Sequence, residues 1–174
     1  MDEKLKEVFS KENYDKEKVF NELYSVLWLD LYKYAAYTLG SHEEAEDAVQ
    51  DAVALAYDNF EKLKNKEVFK YWIFKILSNC CKRKLRGIIW SRKTTPIYDI
   101  FDLHDEDKTS EIMESLDLYN EVMKLKSDER MILNLSIFGG YKSNEISEIM
   151  NSPEGTIRSK FHRALKKLKG NIGE

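Results

Sequence analysis

The sequence predicts an all-α protein: two small helical domains joined by a linker. Three observations carry this expectation. Only 7 glycines and 2 prolines occur in 174 residues, so few breakers interrupt the chain. Apolar residues recur at helical spacing over long runs, with no convincing period-two alternation. Charge comes in blocks: Lys82 to Lys93 carries only positive charge, Asp99 to Asp117 is acidic apart from Lys108, and Arg158 to Lys169 is basic again. With Thr94, Thr95 and Pro96 at the first change of sign, this order places an N-terminal domain at residues 1–87, an acidic linker at 88–114 and a C-terminal domain at 115–174. Ile97, Tyr98, Ile100, Phe101 and Leu103 make the linker too apolar for a pure spacer.

Three helices account for the N-terminal domain. The first spans Phe20 to Leu39, with Leu23, Leu27, Leu31, Tyr34, Ala35 and Leu39 at helical spacing, and Gly40 ends it. The second spans Ser41 to Asn59. Ser41 and Glu44 form an S-x-x-E capping box, and Ala45, Ala48, Val49, Ala52, Val53, Ala56 and Phe60 line one side. Asp47, Gln50 and Asp51 face elsewhere, as a wet helix face or as a surface for a basic partner helix. A loop containing Lys62, Lys64, Asn65 and Lys66 leads to the third helix, Glu67 to Arg86. Its core side is Phe69, Trp72, Ile73, Ile76, Leu77 and Cys80; Lys70, Lys75, Asn79 and Arg83 recur on a more polar side.

In the C-terminal domain, Ser127 to Phe138 reads as a capped helix with Met131, Ile132, Leu135 and Phe138 inward, ended by Gly139 and Gly140. Lys142 to Asn151 reads as a short helix with Ser143 as N-cap, Ile146, Ile149 and Met150 on one face, and Asn151 as a left-handed stop. Ser152 and Pro153 then open a helix whose apolar stripe is Ile157, Phe161, Ala164, Leu165 and Leu168. Arg158, Ser159, His162, Arg163, Lys166 and Lys167 fall on its other side. Two helices meeting across so short a turn make a helix-turn-helix with the second as reader. Its arginines suit guanine O6 and N7 in a major groove; the plainer alternative is a basic surface helix in water.

Composition narrows the function classes. A formal net charge of −3 excludes nucleic-acid binding by bulk charge and leaves only local patches. Cys80 and Cys81 are adjacent in an apolar helix, which suits packed thiols rather than a disulfide or a zinc site. There is no apolar signal core at the N-terminus and no stretch of membrane-spanning length, which points to the cytoplasm. His42, His104 and His162 lie in unrelated segments, and no phosphate loop, nucleophile elbow or metal-spaced cluster occurs. The expectation is a protein that is not an enzyme, with no catalytic residue, cofactor, metal or small-molecule substrate.

DERMILNLSIFGGYKSNEISEIMNSPEGTIRSKFHRALKKL resembles the fourth conserved region of bacterial sigma factors of the extracytoplasmic-function group. The resemblance rests on the Asp128-Glu129-Arg130 start, the approach from Gly140 to Ser143, Glu145-Ile146, and the run from Gly155 to Leu168. HEEAEDAVQDAVALAYDNF is similar to the polymerase-binding helix of that group, matching at Glu44, Ala45, Glu46, Asp47 and Gln50, with Asp51 in place of a glutamate. KYWIFKILSNCCKRKLR is similar to the segment that reads and opens the minus-ten element, matching at Trp72, Lys75, Ile76 and Asn79. Val53, Leu55 and Arg83 depart from the residues usual at their places.

The resemblance implies an alternative sigma factor of a stress-response kind. Its partners would be core RNA polymerase, promoter DNA and an anti-sigma factor, which in this family is often membrane-anchored. It implies polymerase contacts at Asp47, Gln50 and Asp51, and minus-ten contacts at Asn65, Lys66, Lys70, Tyr71, Lys75, Asn79 and Arg83. The minus thirty-five element would be read by Arg158, Ser159, Lys160, His162, Arg163 and Lys166. The alternative is a stand-alone helix-turn-helix regulator whose N-terminal half senses a signal or dimerises.

Overall fold

In the N-terminal half, helix α1 runs from Lys16 to Leu39. It begins four residues before the expected Phe20 because the Asp15 carboxylate accepts the Glu17 N–H at 3.0 Å and so caps the first turn. Gly40 closes it in the left-handed region (φ 76°), donating to the Ala36 carbonyl at 2.9 Å. Helix α2 runs from His42 to Asn59. Ser41 caps it by accepting the Glu44 N–H, but the expected capping box is only half made, because the Glu44 carboxylate turns to Lys84 at 2.8 Å. Two single 3-10 turns, Phe60–Lys62 and Lys66–Val68, lead into helix α3, Phe69–Ser91. The structure, a computed structural model, describes residues 15–91 and 118–172. The expected linker, with Ile97, Tyr98, Ile100, Phe101 and Leu103, therefore lies largely outside the described residues.

The three N-terminal helices close on an aromatic centre. Phe20 packs edge-on against Tyr57, Phe60 and Phe69, with ring centroids 5.2, 5.3 and 5.5 Å apart. Such pairs add about 0.5–1.5 kcal/mol each beyond the area they bury. α3 is buried on two stripes. Phe69, Ile73, Leu77 and Cys80 are enclosed as expected, and so are Phe74, Ser78 and Cys81. The Tyr34 hydroxyl meets Ser78 Oγ at 3.0 Å inside this core, which removes the cost of enclosing both.

The C-terminal half is helical at 118–123 and continues through α4 (Ser127–Ile137), α5 (Ser143–Met150) and α6 (Glu154–Ile172). Two expected caps differ. Ser143 lies inside α5, and the start of α5 is secured instead by the Lys142 N–H donating to Glu145 Oε2 at 2.8 Å. Ser152 does not cap α6; its hydroxyl points back to the Met150 carbonyl, and Pro153 supplies the first helical acceptor, to Ile157 N–H at 3.1 Å. Asn151 stands in the left-handed region (φ 51°), as the short turn requires. Ile157, Ala164 and Leu168 are buried beneath α6, with Phe161 and Leu165 half-buried beside them.

The two halves are docked on one another: the larger apolar cluster runs through both, and a smaller one of Val122, Leu125, Leu133, Ala164 and Leu168 lies in the C-terminal half. Tyr37 of α1 packs against Tyr119 and Phe138, and Phe74 of α3 against Tyr141. Arg130 of α4 crosses the seam: its Nε donates to the Thr38 carbonyl at 2.8 Å, while its Nη1 donates to the Met123 carbonyl at 3.1 Å. Asn134 adds a buried bond to Thr38 Oγ1 at 3.2 Å. The α1 carbonyl end is thus capped by a cation from the other domain, where the helix dipole favours positive charge.

Candidate nucleic-acid interface

α6 presents its basic side to solvent. Arg158, Ser159, His162, Arg163 and Lys166 are all exposed. Arg158 pairs with Glu154 one turn back at 3.0 Å, and Arg163 Nε reaches the Ser159 carbonyl at 3.4 Å. An exposed i, i+4 pair contributes only about 0.3–0.5 kcal/mol, so it holds the arginine in place without preventing its transfer to a base. Lys160 is not brought to this face. Its amine is held by Asp128 at 2.7 Å, so it ties α6 to the start of α4. Lys167 does the same through Glu129, whose carboxylate is 2.6 Å away and 4% exposed.

On α2, Asp47, Gln50 and Asp51 form an exposed face opposite the alanine-lined core side. Two of the three are engaged by α3: Asp47 meets Lys84 at 3.4 Å and Asp51 meets Arg83 at 3.8 Å. Burial pulls the Lys84 amine down, but the Glu44 and Asp47 carboxylates outweigh it and hold the amine above the ordinary lysine value. The exposed Arg83–Asp51 contact is weak enough for a competing partner to displace.

The residues expected at the minus-ten element fall in three places. Asn65 and Lys66 have local duties: Asn65 Oδ1 caps the second 3-10 turn at 2.9 Å, and the Lys66 amine lies 3.7 Å over the Phe60 ring while donating to the Phe60 carbonyl. Burial lowers the Lys66 pKa. Lys70 and Tyr71 sit at the domain seam, with Tyr71 donating to Glu148 at 3.1 Å. Lys75, Asn79 and Arg83 are exposed. Asn79 and Arg83 border a cleft of about 450 Å³ between α2 and α3, lined further by Leu55, Asn59, Lys62, Leu63, Trp72 and Ile76.

This cleft has the composition of a receptacle for a flat heterocycle. Leu55, Leu63, Trp72 and Ile76 supply apolar walls, while Asn59, Lys62, Asn79 and Arg83 supply a polar rim. Asn59 is fixed in orientation, its amide donating to the Leu55 carbonyl at 2.9 Å and accepting from Lys62 at 2.8 Å. Asn79 is exposed, so it is not the buried, backbone-satisfied amide that a structural role would require. The sequence does not single out Asn59, places Lys62 only in a lysine-rich loop, and reads Trp72 and Ile76 as core positions although both match the minus-ten segment. A signal was available: Trp72, Ile76, Asn79 and Arg83 share one helical stripe, but its first two members had been placed in the core.

Comparison with known proteins identifies the two halves. The family model described as Sigma-70 region 2 matches residues 23–90, and that described as Sigma-70, region 4 matches residues 115–168. The ECF RNA polymerase sigma factor SigM of Mycobacterium tuberculosis is 24% identical over 154 residues, covering 88% of this chain and 77% of that protein. SigW of Bacillus subtilis, also named an ECF RNA polymerase sigma factor, is 25% identical over 161 residues, covering 83% and 86%. The chain belongs to the extracytoplasmic-function group of bacterial sigma factors. The sigma factor also shares its fold with RpoE of Bartonella quintana, solved in complex with the anti-sigma factor NepR. There the TM-score is 0.67 at 23% identity, over 90% of this chain and 98% of that one. CnrH, solved with the cytosolic domain of CnrY, gives a TM-score of 0.66 at 16% identity, covering 90% and 89%.

Proposed function

We propose that this sigma factor binds core RNA polymerase through Asp47, Gln50 and Asp51, reads the minus thirty-five element with α6, and captures a minus-ten strand base in the α2–α3 cleft. The observation that carries this is the separation of three chemically distinct surfaces on one fold. There is a basic exposed helix face for duplex, an acid–amide face for protein, and an apolar-floored cleft with an amide rim for an unstacked base. The division of labour is proposed to follow residues 1–87, 88–114 and 115–174. Arg158, Ser159, His162, Arg163 and Lys166 carry the duplex contact. Asn79 and Arg83 carry the strand contact, with Lys70, Tyr71 and Lys75 along the same helix. Lys160, Asn65 and Lys66 support these surfaces from their own intramolecular bonds. The polymerase performs the chemistry and this chain supplies recognition. It works beside the polymerase and chromosome in the cytoplasm, and no helix among the described residues is long and apolar enough to cross a membrane. An anti-sigma factor is the further partner that fits this reading.

In vitro transcription with core enzyme on a genomic promoter library tests the proposal. Initiation is expected only when core and the sigma factor are both present. Arg163→Ala should cost about 1–3 kcal/mol on matched minus thirty-five DNA and little on scrambled DNA. Asn79→Ala should reduce permanganate-detected strand opening while leaving duplex capture intact. Tight, selective operator binding by the free chain, unchanged by core, would overturn the reading.

A further inference from the structure

The polar rim of the α2–α3 cleft is built of donors. Asn59 Nδ2 donates to the Leu55 carbonyl at 2.9 Å, and Asn59 Oδ1 accepts from the Lys62 amine at 2.8 Å. This amide cannot be turned over. A lysine amine has only N–H groups and a carbonyl only lone pairs, so a flip would set donor against donor and acceptor against acceptor. The Asn59 oxygen therefore faces the ammonium, and any further donor would have to approach it beside that positive charge. What Asn59 has left for the cleft is an N–H. Lys62 keeps two N–H groups beyond the one it gives to Asn59. Arg83 can only donate; its Nη2 meets Cys80 Sγ at 3.3 Å and the Asp51 carboxylate at 3.8 Å, which leaves its other N–H groups. The one polar atom of the Trp72 side chain is also an N–H. Among the side chains that line the cleft, Asn79 is the one that brings an acceptor not already turned to a cation of the rim.

Two cations and a row of N–H groups call for oxygen acceptors, and the bases differ in what they offer. Cytosine has O2 beside N3, guanine has O6 beside N7, and thymine has O2 and O4. Adenine has no carbonyl oxygen. Its exocyclic amine lies between N1 and N7, so each of those edges brings an N–H against a rim of donors. A site built to hydrogen-bond a group rejects the analogue that leaves its polar atoms unpaired. At about 450 Å³ the cleft is roomy enough for one ring or two, so polarity rather than size makes the choice.

We infer that Lys62 is a positioning residue that locks the Asn59 amide, and that the resulting donor rim selects a carbonyl-bearing base, cytosine, guanine or thymine, over adenine. The inference rests on the proposed capture of a strand base in this cleft. It gives Lys62 a part in sequence choice, beyond the attraction that any loop lysine exerts on any phosphate. The lock is also local. Asn59 is the last residue of α2 and Lys62 the last of the 3-10 turn that follows, so one turn of backbone sets the polarity of the rim.

The test uses the full chain and short fluorescein-labelled single strands that are abasic everywhere except at one central base, read by anisotropy, with an all-abasic strand as reference. The cytosine, guanine and thymine strands should each bind about 5-fold or more tighter than the adenine strand. Lys62→Met keeps the aliphatic stem and removes the donor. The Asn59 amide is then free to turn and present its oxygen, so the four strands should bind within about twofold of one another. Lys62→Arg still donates to Asn59 and should keep the parent's preference. Thermal melts of both variants report folding separately from base choice. An adenine strand that binds the parent within about twofold of the other three overturns the inference, as does a Lys62→Met variant that keeps the parent's preference. If no strand carrying a base binds more tightly than the all-abasic strand, the proposed capture of a base in the cleft fails, and the inference fails with it.

Discussion

Glu129 shows how a single side chain links stability to the reader helix. Its carboxylate is buried beneath α6, and burial alone would raise its pKa. The Lys167 amine, a backbone hydrogen bond at Lys126 and the nearby Arg163 charge outweigh that effect and hold it below the ordinary carboxylate value. A carboxyl depressed on folding stabilises the native state above its unfolded pKa of about 4.3, and that contribution is lost as pH falls through the folded value. Glu129→Gln should therefore cost about 1–3 kcal/mol at neutral pH and flatten the acid limb of a urea-denaturation series. An acid limb as steep as the parent's would remove Glu129 from this role. Sequence reading saw Glu129 only as part of the Asp-Glu-Arg start, because a short acidic run gives no hint which member is enclosed.

At the scale of the element, periodicity found every described helix of three or more turns, because each has one continuous apolar stripe. It failed where a helix is buried twice. Phe74 of α3 packs against both Tyr34 of α1 and Tyr141 across the domain seam, and Ser78 is enclosed against Tyr34, a second buried side that no local pattern announces. Helix starts were less legible than helix bodies. α1 starts after Asp15 rather than at Phe20, the Glu145 carboxylate rather than Ser143 secures the start of α5, and the Pro153 carbonyl rather than the Ser152 hydroxyl accepts first in α6, since several groups near a helix start can meet its free backbone N–H groups. The glycines divide by surroundings. A Cβ on Gly139 would lie 2.4 Å from the Tyr141 ring and 2.6 Å from the Leu135 carbonyl, whereas one on Gly87, within α3, meets nothing within 4 Å. Gly139→Ala should lower stability by about 1–3 kcal/mol, and Gly87→Ala should raise it by about 0.5–1 kcal/mol. Equal melting temperatures for the two variants would show that Tyr141 adjusts freely.

For the molecule as a whole, the two-domain reading was right about content and silent about contact. Nothing in the spacing announces that Arg130 and Asn134 reach Thr38, because pairings across 92 and 96 residues leave no local trace. The α2–α3 cleft was half legible: Asn79 and Arg83 were singled out, but its apolar floor looked like core. A shared core and buried cross-links make the described halves one cooperative unit. The sigma factor should melt in a single calorimetric transition, and Arg130→Met should separate it into two; one transition in the variant would show that apolar contacts alone join the halves. The sealed thiols of α3 carry a different consequence. Cys80 and Cys81 are 1% and 0% exposed, and burial pushes both thiols above their ordinary range, which suppresses the thiolate that peroxides and alkylating agents attack. With 2 cysteines in the chain and both enclosed, oxidative stress has no accessible sulfhydryl on this protein to act upon while it stays folded, so a thiol-based redox switch is not built into it.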